Sequence, residues 1–137
     1  MSTRSNIAYE NPKGEIVATY CHSDGYLAWN GMMLYKHYNS YISAIKLVDG
    51  GYISSIDAEG ADRHHSDPPT KYNNEYHYMT SMQGNTSIEY IYLYKNDQWY
   101  FSKQKWIDNL DDGYISYTSY YTGFKPLKEH LDDGEKD

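Results

Sequence analysis

Apolar and polar positions alternate from the start of the chain. Ile7 and Tyr9 fall on one side of a strand. Ile16, Ala18 and Tyr20 share one face of a second strand, with Val17, Thr19 and Cys21 on the other. Between them, Asn11-Pro12-Lys13-Gly14 places Asn, Pro and Gly where a type I turn favours them. Residues 5–21 therefore read as a hairpin. The period then lengthens. Leu27, Gly31, Leu34 and Tyr38 recur at four, three and four, which is one helical face, and Asp24 is placed to cap that helix. Gly31 in its middle either weakens it or admits a close neighbour. Asn39-Ser40 breaks the pattern and caps a second helix. Its stripe is Tyr41, Ala44, Ile45, Leu47 and Val48, and Asp49-Gly50-Gly51 ends it. "YISSI" (52–56) follows as a short strand.

From 57 to 83 the periodicity fades into a polar stretch with Pro-Pro and Asn-Asn. It reads as a long loop, with a short strand near Tyr76–Met79. "SIEYIYLYKNDQWYFSK" (87–103) is the strongest strand signal. A two-residue Asn96-Asp97 turn pairs Tyr94 with Trp99, Tyr92 with Phe101 and Leu93 with Tyr100. "QKWIDNLDDG" (104–113) is expected to form a short helix, with Trp106 and Leu110 four apart. "YISYTSYYTGF" reads as another strand, and a brief helix begins at Pro126. The "DGGYISS" at 49–55 is echoed by "DDGYISY" at 111–117, each a helix-to-strand join on this reading. The pattern predicts an α+β fold of one domain over 1–131. It has a mainly antiparallel sheet of two or more hairpins, with two helices of the N-terminal half packed on one face. An acidic tail follows at 132–137.

A chain of 137 residues suits one core. No apolar run is long enough for a membrane span, and the N-terminus has no apolar secretory segment. The single cysteine excludes an internal disulfide, so a cytoplasmic location is the expectation. The net charge is −7, and residues 108–137 hold eight acidic against three basic side chains. That balance excludes general phosphate-backbone binding and suits a partner with a basic surface. Eighteen tyrosines against two phenylalanines add rings that give contact area at little entropic cost.

"TYCHSDGYL" (19–27) brings a thiol, an imidazole and a carboxylate within four residues. On a strand, however, Cys21 and His22 point to opposite faces, so adjacency does not make a nucleophile–base pair. No catalytic residue is assigned. His22, Asp24 and His37 are candidate ligand-binding residues at the strand-to-helix junction. His64-His65, flanked by Asp62 and Asp67, lacks metal-ligand spacing, so no metal and no cofactor is expected. The sequence also holds no Walker loop, GxGxxG, GxSxG, HExxH or CxxC.

Four stretches occur in one order: "TRSNIAY" (3–9), "YCHSDGY" (20–26), "HYN" (37–39) and "LVDGGYISS" (47–55). Together they resemble a group of small proteins of tailed bacteriophages and prophages, over roughly residues 2–56. Those proteins carry Trp where this chain has Ser23, and a Gly-Arg-rich stretch where it has 72–86. The resemblance implies a phage accessory protein acting on host machinery or defence, and it carries over no catalytic residue. The leading expectation is a non-enzymatic inhibitor that occupies the basic, nucleic-acid-binding groove of a host protein, as an anti-CRISPR protein does. Asp108, Asp111, Asp112, Tyr114, Tyr117, Tyr120 and Tyr121 are its expected partner-binding residues. One alternative is a small-ligand binder that sequesters a nucleotide signal, with tyrosines stacking on a base. Another is a small hydrolase using Cys21, His22 and Asp24.

Overall fold

The computed structural model describes residues 3–83, 88–111 and 114–131, with side chains given except at 107–111 and 114–118. The first two strands, β1 (Arg4–Glu10) and β2 (Ile16–Cys21), form the expected antiparallel hairpin. Asn11 sets its turn: the side-chain carbonyl accepts from the Lys13 and Glu15 amides, both at 3.0 Å, and Gly14 takes φ +81°. A π-helical turn (Leu27–Gly31) runs into α1 (Met32–His37), and α2 (Tyr41–Asp49) follows. Ser40 and Ser43 cap α2 reciprocally, each side chain accepting from the other's amide at 3.1 Å. Gly31 proves to admit a close neighbour: a β-carbon there would lie 3.4 Å from Leu127.

The 57–83 stretch is more ordered than its composition suggests. It starts on the last residue of β3 (Ser55–Asp57) and contains β4 (Gly60–Asp62), β5 (Thr70–Tyr72) and α3 (Glu75–Met82). The strand expected at Tyr76–Met79 is therefore helix. Asn74, read as part of a loop signal, is its N-cap, accepting from the His77 amide at 2.8 Å. The strand expected at 52–56 shrinks to a bridge of Ile53 to Cys21, followed by β3.

The aromatic hairpin forms from β6 (Ile88–Lys95) and β7 (Gln98–Asp111). Its register is the one the turn predicts: Tyr94 opposite Trp99, Leu93 opposite Tyr100, Tyr92 opposite Phe101. Asn96 and Asp97 both take positive φ, +50° and +64°. The helix expected over 104–113 does not form; β7 runs on to Asp111 and pairs with β8 (Tyr114–Tyr121). Positions four apart, such as Trp106 and Leu110, share a face in a strand as well as in a helix, so the spacing did not discriminate. The short β9 (Lys125–Pro126) and a 3-10 turn (Leu127–Glu129) complete the described chain.

The main sheet runs β5-β2-β1-β6-β7-β8, with β9 also on β7. All its pairs are antiparallel except β1–β6. Central β1 and β6 are buried on both faces, which their apolar runs "IAY" and "IYLY" reflect. One face carries Ile7, Val17, Tyr92 and Trp99 against Leu27 and Leu34, with Leu47 and Val48 of α2. The two helices of the N-terminal half thus share one face, as expected. On the other face Ala8, Ile16, Ile91 and Leu93 pack against Tyr78 and Met82 of α3.

Candidate functional site

The strand exit at Tyr20–Gly25 separates the three groups that looked catalytic. Cys21 is fully buried. Its sulfur lies 3.3 Å from the Asn30 side-chain amide, which also reaches Ser5 Oγ and the Ser23 carbonyl. Burial pushes the Cys21 thiol up, so it stays protonated and unreactive near neutrality. His22 leaves on the opposite face, where Nδ1 meets the Tyr20 hydroxyl at 2.9 Å. Asp24 is not a helix cap. It sits at φ +58°, and its backbone carbonyl, not its carboxylate, accepts from the Asn30 amide at 3.1 Å. A short polar side chain tolerates this left-handed bend, and that is what Asp24 contributes. Gly25 is pinned from both sides: its amide donates to the Thr3 carbonyl at 2.7 Å, and its carbonyl accepts from Tyr92 Oη at 2.6 Å. A β-carbon at Gly25 would lie 2.8 Å from Ser5 Cβ, so only glycine fits. The arrangement braces a turn and, among the described residues, sets the thiol against the Asn30 amide and the Ser23 carbonyl rather than against a base.

His37 does not join His22 and Asp24. It ends α1, whereas they precede the helical segment, so some ten residues of helix, about 15 Å, intervene. His37 instead lines a groove of about 350 Å³ between α2 and the β3–β4 turn. Lys46 and Arg63 line it too, with Tyr38, Leu47 and Glu59. The sequence offered no sign of Lys46 or Arg63: one is a lysine on the polar side of α2, the other a lone arginine in a polar stretch. Among the described residues, no three His, Cys, Asp or Glu side chains group as a metal site. His65 packs edge-on against Tyr52, ring centroids 4.6 Å apart.

Of the expected partner-binding residues, Asp108 and Asp111 lie on β7, and Tyr114, Tyr117, Tyr120 and Tyr121 lie on β8. The β6 register ends at Tyr90 opposite Lys103, and β7 continues for eight residues paired with β8. That is about 26 Å of two-stranded ribbon. Asp108 pairs with Tyr117, Asp111 with Tyr114 and Lys105 with Tyr120. Asp112 lies outside the described residues, as do the side chains of Asp108, Asp111, Tyr114 and Tyr117. Trp106 is 46% and Tyr120 39% exposed. Tyr121 requires a correction. It is buried, and its hydroxyl donates to the Ile88 carbonyl at 3.0 Å and reaches the Met82 carbonyl at 3.3 Å. Its strand partner Gln104 donates to the same Ile88 carbonyl at 2.8 Å. The pair anchors the base of the ribbon and offers no surface to a partner.

Comparison of the chain with protein-family models, with curated proteins and with solved structures finds no match. Among the described residues no helix is long and apolar enough to cross a membrane.

Proposed function

We propose that the chain is a non-enzymatic binding protein of a phage or mobile element, and that the β7–β8 ribbon is its contact with a basic groove on a host protein. A CRISPR nuclease or another defence nuclease, whose groove normally takes nucleic acid, is the concrete form of that partner. The observation that carries the reading is the ribbon itself: eight paired positions beyond the β6 register, with Trp106 and Tyr120 exposed on it. Exposed aromatics of this kind supply contact area at protein interfaces. Residues 104–112 add three aspartates and one lysine, and five of the chain's seven net negative charges fall in 108–137. Such a charge distribution steers encounter with a cationic surface.

The test is a plaque assay in cells whose CRISPR nuclease targets the infecting phage. Expression of the chain should restore plaques. The D108N/D111N/D112N variant should lose most of that restoration, because three ion pairs with the partner at up to ~1 kcal/mol each amount to about a hundredfold in affinity. Restoration by the triple variant equal to wild type, or none by the wild type, refutes the reading.

A further inference from the structure

We propose that the groove between α1, α2 and the β3–β4 turn binds a small phosphate monoester with a flat body, of nucleoside monophosphate size. The site is independent of the ribbon and of the partner it would hold.

The charge of the groove runs against that of the molecule. The chain carries −7 overall, yet His37, Lys46 and Arg63 line this groove against the single carboxylate of Glu59. Three other grooves among the described residues are balanced or acidic. One sets Asp97 against Lys128, one sets Glu10 and Asp97 against Lys95, and one holds Asp57, Glu59 and Asp62. A net-cationic concavity on an acidic protein favours an anionic ligand and opposes cationic ones.

Arg63 is a fixed cation. Its Nη1 donates to the Gly51 carbonyl at 2.6 Å and its Nη2 to the Leu47 carbonyl at 2.8 Å, at the C-terminal end of α2. Those carbonyls take two of the five N–H donors of a guanidinium. The group is also seated tightly: a β-carbon at Gly50 would lie 2.3 Å from Arg63 Cζ. Lys46 and His37 are exposed at the rim, one from α2 and one from the end of α1, and both can donate to a phosphate oxygen. Part of the lining is apolar. It comprises Leu47, Ala58, Ala61 and the ring of Tyr38, whose hydroxyl is held by the Asp57 carbonyl at 2.7 Å. That anchor keeps the ring in place as a wall for a planar group. The volume of about 350 Å³ falls at the small end of ligand sites, which fits one mononucleotide.

The test is a thermal-melt and calorimetric titration of the full chain with adenosine monophosphate, inorganic phosphate and adenosine in separate arms. Adenosine monophosphate should raise the melting temperature and give a saturable isotherm, with each fragment binding at least tenfold more weakly. Lys46→Glu, an exposed position that leaves the core intact, should weaken binding at least tenfold. Lys13→Glu, in the β1–β2 turn, should leave it unchanged. No shift with millimolar adenosine monophosphate, or the same affinity in Lys46→Glu, overturns the site. Equal binding of inorganic phosphate and adenosine monophosphate overturns the flat body.

Discussion

Replacing Tyr92 with Phe removes one oxygen from the centre of the molecule and tests how the strand exit is held. Tyr92 is fully buried, and its hydroxyl donates to the Gly25 carbonyl at 2.6 Å across 67 residues of sequence. The bond contributes about 1 kcal/mol net, and a buried carbonyl deprived of this donor costs about 1 kcal/mol more, so about 2 kcal/mol is expected at pH 7. With a urea m-value of about 2 kcal/mol/M for a chain of this size, the midpoint should fall by about 1 M with m unchanged. The same phenol makes a second, independent forecast. Burial, reinforced by Cys21, pushes Tyr92 well above its usual range. The folded phenol therefore stays neutral where the unfolded one, with a value of about 10, ionises. The stability tied to that neutral phenol is intact below pH 10 and is lost as pH rises beyond it. At pH 11 the wild type has lost about 1.4 kcal/mol through this group, and the Phe variant, lacking the group, has not. The gap between the two proteins should thus shrink from about 2 to about 0.6 kcal/mol between pH 7 and pH 11. Urea titrations of both proteins at the two pH values measure it. A gap near zero at pH 7 refutes the bond's contribution, and a gap that does not change with pH refutes the neutral phenol.

Cys21 should be inert in the native protein. Alkylation at pH 8 should run at least about a hundredfold slower than in denaturant, and rapid native modification would restore the nucleophile reading. Asp97→Gly should stabilise, because a β-carbon at φ +64° is disfavoured in the Asn96-Asp97 turn. A rise of about 2–4 °C in melting temperature, from about 0.5–1 kcal/mol, is the expected result by circular dichroism; a fall would mean that the Asp97 side chain stabilises the turn.

What the sequence made legible follows from how local the determinants are. The Tyr94–Trp99 register could be read because a two-residue turn fixes every pair beyond it. The Ser40 cap could be read because its partner lies three residues away. The helix α3 could not: only Tyr78 and Met82 bury deeply, Tyr76 is 76% exposed, and its cap looks like any loop asparagine. The extension of β7 depends on pairing with β8, a strand that comes only later in the chain. The groove that gathers His37, Lys46 and Arg63 exists only because the β3–β4 hairpin folds back over α2, and no spacing along the chain encodes that return. Asp24 illustrates a different failure. The residue type was right for a helix start, but the backbone used its tolerance of positive φ rather than its carboxylate.

The two ends of the main sheet are built differently. β5 is three residues long, contains Lys71 and follows Pro68-Pro69. β8 at the other end is eight residues long, "YISYTSYY", without charge or proline. Charge, proline and brevity discourage a sheet edge from templating further strands, and β8 has none of the three. Growth by strand addition is therefore polar: it can begin at one end of this sheet and has nowhere to continue at the other. Two copies joined through β8 would present only β5 ends outward, so that mode of association terminates in a pair and does not lengthen into a fibre.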